Sequence, residues 1–257
     1  AAMAWHALRA APVAPSEADR FRMEQGQEIG ALAQKLYPGG VLAFGGKPPA
    51  EITRDLVADE TKETIFEAEV LAAPFVAKAD ILRREAGGWH VMEVKSSFSD
   101  TSSLDDLVSD LAYTVMVFRR AGFTVTRASL VLLSRQFRYG EAPDRLFEIV
   151  DTTEDALERA AEYDAAADTL AQALFAPQPP EPVLVSACRD CDFFATDCLG
   201  RNITNTVFEI PSLHHKKLKR LSDAGIIDLS HVPDDLELND RQLRAKRAAL
   251  AGAIAVD

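Results

Sequence analysis

Between Phe75 and Ser97 the chain reads FVAKADILRREAGGWHVMEVKSS, two apolar runs on either side of Gly87-Gly88. This pattern predicts strands over Phe75–Arg84 and Trp89–Ser97, joined by a two-residue turn at the glycines. A half-buried strand alternates apolar and polar residues, and its centre avoids charge. Here Asp80, Glu93 and Lys95 sit among Ala, Ile, Val and Met. With Gly87 and Gly88 as the loop, Asp80 is expected opposite Lys95 and Leu82 opposite Glu93. Glu93 and Lys95 share a face because side chains alternate along a strand, and cross-strand partners point the same way. The three charges are therefore expected in one small patch.

Two carboxylates and an ammonium on one face suit metal-dependent phosphodiester hydrolysis. Asp80 and Glu93 are hard oxygen ligands for Mg²⁺ or Mn²⁺, and the Val94 carbonyl between Glu93 and Lys95 is a further candidate. Such an ion lowers the pKa of a bound water and offsets charge on a phosphate, and Lys95 beside that water would orient it or accept its proton. The competing reading is a salt bridge. Buried ion pairs stabilise poorly, so three such residues at a sheet centre call for a reason. The Glu-x-Lys spacing alone is weak, since Glu60-Thr61-Lys62 repeats it at what reads as a solvated helix end.

The remaining chain frames this hairpin. Pro15, Ser16 and Asp19 read as a capping-box start for a helix to about Leu36, stopped by Pro38-Gly39-Gly40. GVLAF is expected as a short strand, Ala50–Val57 as a helix and Thr64–Leu71 as a strand. Ser103–Ala121 is strongly amphipathic, with Leu104, Leu107, Val108, Leu111, Val115 and Phe118 as its stripe and Gly122 as its C-cap. Arg127–Ser134 and Arg145–Asp151 read as strands, and Glu154–Phe175 as a long helix. Ala176–Pro182 (APQPPEP) is linker-like, and the tail from Pro211 to Ile254 reads as two helices around Gly225. This order predicts an α/β fold with a mixed sheet flanked by helices. No dinucleotide, P-loop or nucleophile-elbow string occurs.

Composition narrows the class. Twenty-eight Lys and Arg against 40 Asp and Glu give a net charge of −12. That balance opposes a chain that coats nucleic acid by bulk charge, while leaving room for a local basic groove. No apolar run is long enough to span a membrane, the first residues lack a secretory signal, and the 3 cysteines are too few for a disulfide scaffold. A reducing cytoplasm is the expected compartment. All the cysteines fall in one stretch, Cys188, Cys191 and Cys198, a clustering that points to a metal. For zinc, His214 or His215 could complete the set; for iron–sulfur, four thiolates are usual. HHKKLKR, His214 to Arg220, is the most basic run. Lys216, Lys217 and Lys219 are its candidate phosphate contacts, against a plain solvated helix face. Arg119, Arg120, Arg127, Arg135 and Arg138 either line a route to the patch or are scattered surface charge. His90, beside Trp89, is read as structural.

Ala79-Asp80, twelve intervening residues, then Glu93-Val94-Lys95 and a following helix resemble the PD-(D/E)XK nuclease superfamily, with alanine in place of the motif's proline. FRMEQGQEIGALAQKLYPGG, TIFEAEV and CRDCDFFATDC…VFEIPSL…AGIIDLSHVP…LNDRQLR are similar to a bacterial RecB-like branch with a C-terminal cysteine cluster. The resemblance spans nearly the whole chain and implies a restriction-endonuclease-like core acting with Mg²⁺ on DNA, single-stranded DNA included. It also implies a 4Fe–4S cluster on Cys188, Cys191 and Cys198, zinc being the alternative. The branch's early cysteine has no counterpart here. AWHAL near Ala1 resembles the sequence just after it, so the chain is expected to begin downstream of that ligand. Members often continue into a ribonuclease-H-like part. The implied division is a nuclease domain with the cysteine loop over residues 1–205 and a helical extension over 206–257. Two departures stand out. Gly30 occupies the place of a metal-binding His, and Thr114 that of a Gln; Glu28, Glu67 and Glu69 are candidate substitutes. They keep open a non-catalytic binding module that retains the fold.

Overall fold

Apolar periodicity sets both the sheet and the helices that cover it. The computed structural model describes residues 2–253, with Pro143 described in its backbone alone. The chain forms two units, one from Ala1–Pro12 and Thr169–Asp257, the other from Val13–Asp168. In the first lies helix α1 (Ala2–Ala7).

The Val13–Asp168 unit holds a six-stranded mixed sheet in the order β1-β2-β3-β4-β5-β6. The strands are β1 (Val41–Leu42), β2 (Thr64–Ala72), β3 (Phe75–Glu85), β4 (Gly88–Phe98), β5 (Val125–Leu133) and β6 (Phe147–Asp151). β2, β3 and β4 form an antiparallel meander, while β4 and β5 run parallel, as β1 and β2 do. A parallel neighbour requires a crossover, and α4 (Leu104–Arg120) supplies it. Its expected stripe is buried at Val108, Leu111, Val115 and Phe118. Its C-cap is Ala121, and Gly122, at φ 92, follows as the left-handed residue that turns the chain away rather than as the cap itself.

Helices α2 (Glu17–Ala33) and α3 (Pro49–Ala58), with α4 and the part of α5 (Thr153–Phe175) up to Asp168, cover the two faces. On one face α3, α4 and α5 pack Leu56, Leu111, Phe118 and Ala156 against Val70, Leu82, Val91 and Leu130. On the other, Ile29, Leu32 and Ala33 of α2 meet Phe66, Ile81, Met92 and Val131. The capping box at α2 forms as expected: Ser16 Oγ accepts from Asp19 N–H and Asp19 Oδ2 from Ser16 N–H, each at 3.1 Å. The fold is thus α/β, with a mixed sheet flanked by helices.

Two strands lose their alternation at the same level. In β2, Ile65 faces the α4 side, Phe66 the α2 side and Ala68 the α4 side again; in β3, Ala79, Ile81 and Leu82 repeat that order. The slips fall at Glu67 and Asp80, which the register places side by side between Phe66↔Ile81 and Ala68↔Ala79. Glu67 absorbs its slip with φ 55, a left-handed backbone that costs a non-glycine residue about 1 kcal/mol or more.

The other unit has its own core of Leu184, Phe194, Val207, Ile210, Leu218, Leu221, Leu229 and Val232. The expected break at residues 205/206 lies inside it, because residues on both sides share that core. Its main helices are α6 (His215–Asp223) and α7 (Asp240–Ala251). The second helix begins well beyond Gly225; the intervening chain is irregular, with a short 3₁₀ turn at Leu229–His231. Helix α1 joins this unit through Trp5, whose Nε1 donates to Ala176 O at 2.9 Å, and through His6, stacked on Phe193 with centroids 5.6 Å apart. Among the described residues, no helix is long and apolar enough to cross a membrane.

Candidate active site

The β3–β4 hairpin turns one residue earlier than expected. Glu85 pairs with Gly88, so the loop is Ala86-Gly87 rather than Gly87-Gly88. Gly87, at φ 83, takes the turn. Gly88 is needed for a different reason: a Cβ there would lie 2.2 Å from Thr124 O, where the chain enters β5. The shifted register moves Asp80 from opposite Lys95 to the level of Glu93, one step beyond the Ile81↔Met92 pair. Convergence survives the correction. Asp80 Oδ2 accepts the Val94 N–H at 2.7 Å, and Lys95 Nζ lies 3.2 Å from Glu93 Oε1.

Glu93 and Lys95 follow Trp89 and Val91 on the α4 face of β4. They line an open cavity of about 450 Å³ with Ser109, Asp110, Tyr113 and Thr114 of α4 and Tyr163 of α5. Beyond Val94 the β4–β5 ladder is irregular until Phe98 pairs with Leu133. The site therefore lies at the irregular stretch of β4, residues 95–97, just before the ladder resumes at the carboxyl ends of the two strands.

Burial dominates the electrostatics. Desolvation, then the neighbouring Asp80 charge, pushes the Glu93 carboxyl up from 4.5 to about 7, against the pull of Lys95. Asp80 is also pushed up, by burial and secondarily by Glu67, although the Val94 N–H opposes the shift. Burial alone would lower Lys95; Glu93 and Asp110 outweigh it and hold the ammonium charged. Among the described residues, Glu93 Oε2 is buried with no hydrogen-bond partner. A site with two disfavoured carboxylates and one orphaned oxygen has room, electrostatically, for a cation.

Asp110 was not legible as a site residue. Its Oδ2 lies 3.2 Å from Lys95 Nζ, so the ammonium is shared between Glu93 and Asp110. The available signal was its position one helical turn before Thr114. Thr114 itself is buried in the cavity lining. Among the described residues, nothing lies within 4 Å of where a Cβ on Gly30 would stand. Of the substitute acids, Glu67 adjoins Asp80 and pairs with Lys78, Glu69 is half-buried in β2, and Glu28 is exposed on α2.

The other expected residues divide clearly. His90 is buried, with Nε2 2.9 Å from Ser129 Oγ, and burial lowers its pKa; it is structural. Arg120 pairs with Asp164 and Asp168, Arg127 with Asp151 and Arg135 with Asp100. Arg138 donates to the carbonyls of Arg135 and Phe137, and Arg119 is exposed. In α6, Lys217 donates to Glu237 O and Lys219 pairs with Asp223 at 2.8 Å, while Lys216 is exposed. Cys188 and Cys191 pack beside the second core, and Cys198 is half-buried. Among the described residues, no three His, Cys, Asp or Glu side chains are grouped as a metal would hold them.

No protein-family model matches the chain, and no curated protein matches it. Among solved structures, the protein SSO0001 is similar at 16% identity over 76% of this chain and 91% of that one, with a TM-score of 0.25. At that score the likeness bears on neither fold nor function.

Proposed function

We propose that this chain is a Mg²⁺-dependent nuclease of the PD-(D/E)XK type that hydrolyses DNA phosphodiester bonds. The observation that carries the reading is the orphaned Glu93 Oε2 beside Asp80 and Lys95. Oxygen donors of this hardness fit Mg²⁺ or Mn²⁺. Asp80, Glu93 and the Val94 carbonyl would hold the ion, which when bound supplies a water of lowered pKa and offsets charge on the phosphate.

The chain's own groups do the rest. The Val94 N–H fixes the Asp80 carboxylate, so one strand positions the acid of its neighbour. Lys95, held charged between Glu93 and Asp110, donates hydrogen bonds to the attacking water or a phosphate oxygen. Its raised pKa favours that role over general base. The open cavity between β4, α4 and α5 leaves Glu93 and Lys95 accessible to a polymer, and a single strand bends into such an opening more readily than a duplex.

The proposal extends to the cysteine loop, where Cys188, Cys191 and Cys198 would contribute to a 4Fe–4S cluster, with zinc as the alternative. Three thiols fall short of the four a cluster usually takes, and they are not gathered here, so no step of the reaction runs through them. What supports the idea is the seating of α1 against Phe193, between Cys191 and Cys198. A reducing cytoplasm and a ribonuclease-H-like part in a longer protein complete the proposal.

The test is cleavage of labelled single- and double-stranded DNA, with an RNA arm, in Mg²⁺, Mn²⁺ and EDTA. Cleavage should need the metal and vanish in Lys95→Ala and Glu93→Ala. Wild-type rates in both variants would refute the site. Folded wild-type protein that binds DNA without cutting it would favour the non-catalytic module, for which the positions of Gly30 and Thr114 already speak. Iron and acid-labile sulfide in anaerobically purified protein test the cluster; stoichiometric zinc without sulfide would replace it.

A further inference from the structure

A larger cavity, of about 800 Å³, opens at the other end of the sheet. Trp89, in its wall, precedes Lys95 by six residues on β4, a separation of about 20 Å at the rise of a strand. The cavity is therefore distinct from the candidate active site. Its apolar walls are Val57, Val70, Leu71, Trp89 and Phe123. Size and lining match what small organic ligands occupy.

Among the described residues, two of its buried polar atoms lack a hydrogen-bond partner. Thr53, on α3, is 1% exposed, and its Oγ1 has no hydrogen-bond partner. Arg84, on β3, lies with its guanidinium carbon 4.3 Å from the Trp89 ring centroid, and its buried Nε has no acceptor. Among the described residues, that guanidinium makes one hydrogen bond, Nη2 to Val57 O at 2.7 Å, and has no carboxylate partner. Glu85 lines the same cavity, but its carboxylate is directed to His90 and Arg127, at 3.4 and 3.8 Å. Exposed Glu51 and Arg54 line it with opposite charges.

A partly buried guanidinium without a counter-anion is costly, and so is an orphaned hydroxyl. Both costs fall when an oxyanion enters, because charge-assisted hydrogen bonds to Arg are strong. The apolar walls require more than an inorganic ion. We propose that this cavity binds a small organic oxyanion, a carboxylate or a phosphate monoester, with its oxygens on Arg84 and Thr53 and an apolar or flat body against Leu71, Val57 and Phe123. The proposal does not depend on nuclease activity.

Isothermal titration of the full chain tests it with decanoate and adenosine 5′-monophosphate as the two arms. Decanol, a body without charge, and inorganic phosphate, a charge without a body, are the controls. One arm should bind at least tenfold tighter than both controls, and which arm does so identifies the source of the oxyanion. Arg84→Met should weaken that binding about 10- to 100-fold, the span of a lost charge-assisted hydrogen bond. Thr53→Val should weaken it several-fold without lowering the melting temperature, since it removes an unsatisfied hydroxyl at constant shape. If Arg84→Met fails to fold, Thr53→Val decides alone. Neither arm exceeding the controls, or a winning arm that binds wild type and Thr53→Val equally, would overturn the assignment.

Discussion

In the absence of divalent cations, Glu93 should make the protein less stable as pH rises. Its carboxyl titrates near 4.5 when solvated and near 7 in the fold. The folded state thus binds a proton that the unfolded state releases between those values. Stability from this group is greatest below about pH 4.5 and falls as pH climbs through 7. At about 1.4 kcal/mol per pKa unit the full effect is about 3 kcal/mol, or roughly 6–12 °C in melting temperature for a chain of this size. Glu93→Gln removes the titration. Asp80, Lys95 and Asp110 remain, and because the Asp80 charge helps raise Glu93, the difference between variant and wild type reports the Glu93–Asp80 pair. Thermal melts in EDTA from pH 5 to 8.5 should show the variant gaining on wild type with rising pH, with near equality at the acid end. Mg²⁺ or Mn²⁺ should then raise wild-type stability at pH 8 and leave the variant nearly unmoved, because a cation replaces the proton. Parallel pH profiles for the two proteins would refute the burial argument, and equal stabilisation by metal would refute the metal site.

Three further expectations follow from the geometry. Gly88→Ala should cost about 3 kcal/mol or more, since its Cβ would meet Thr124 O at 2.2 Å and overpacking of that kind is expensive, whereas Gly87→Ala pays only a left-handed backbone, about 1–2 kcal/mol; equal costs in chemical denaturation would contradict the observed register. Leu221→Ala, at a residue 1% exposed, should destabilise the unit containing it by about 2–5 kcal/mol, and calorimetry showing no loss would mean that core is not formed. In the tail, Lys217 and Lys219 are already engaged, so replacing Lys216, Lys217 and Lys219 together should reduce the salt slope of DNA binding by about 1 rather than 3; a drop near 3 would show that all three reach phosphate.

Much of the sheet was legible because strand alternation is local. The common face of Glu93 and Lys95 follows from period two alone, and the stripe of α4 from its helical spacing. The hairpin register was not legible. Either adjacent glycine could take the turn, and the choice between Gly87 and Gly88 is made by Thr124, distant in sequence. The left-handed Glu67 carries no sequence signal, since glutamate has no special ease there. Asp110 looked like one more solvent-facing acid on an amphipathic helix until β4 placed Lys95 against it. In the tail, Gly225 marked the end of α6 correctly, but the irregular chain before α7 is held by Val207, Leu229 and Val232 through tertiary packing that no local period announces.

The pairing of Ala1–Pro12 with Thr169–Asp257 has a consequence for biogenesis. Trp5 and its acceptor Ala176 are 171 residues apart. At bacterial or eukaryotic synthesis rates of about 5–20 residues per second, α1 would wait on the order of ten to thirty seconds before its partner exists. During that interval Val13–Asp168 can complete its sheet, because every strand and covering helix of that unit is encoded within the gap. The late segment then closes a loop whose interior is already folded, so the entropy of closure is that of a compact insert rather than of a free chain. Translation order and unit boundaries thus cooperate: the part bearing Asp80, Glu93 and Lys95 can mature first, and the part bearing the cysteines is assembled last.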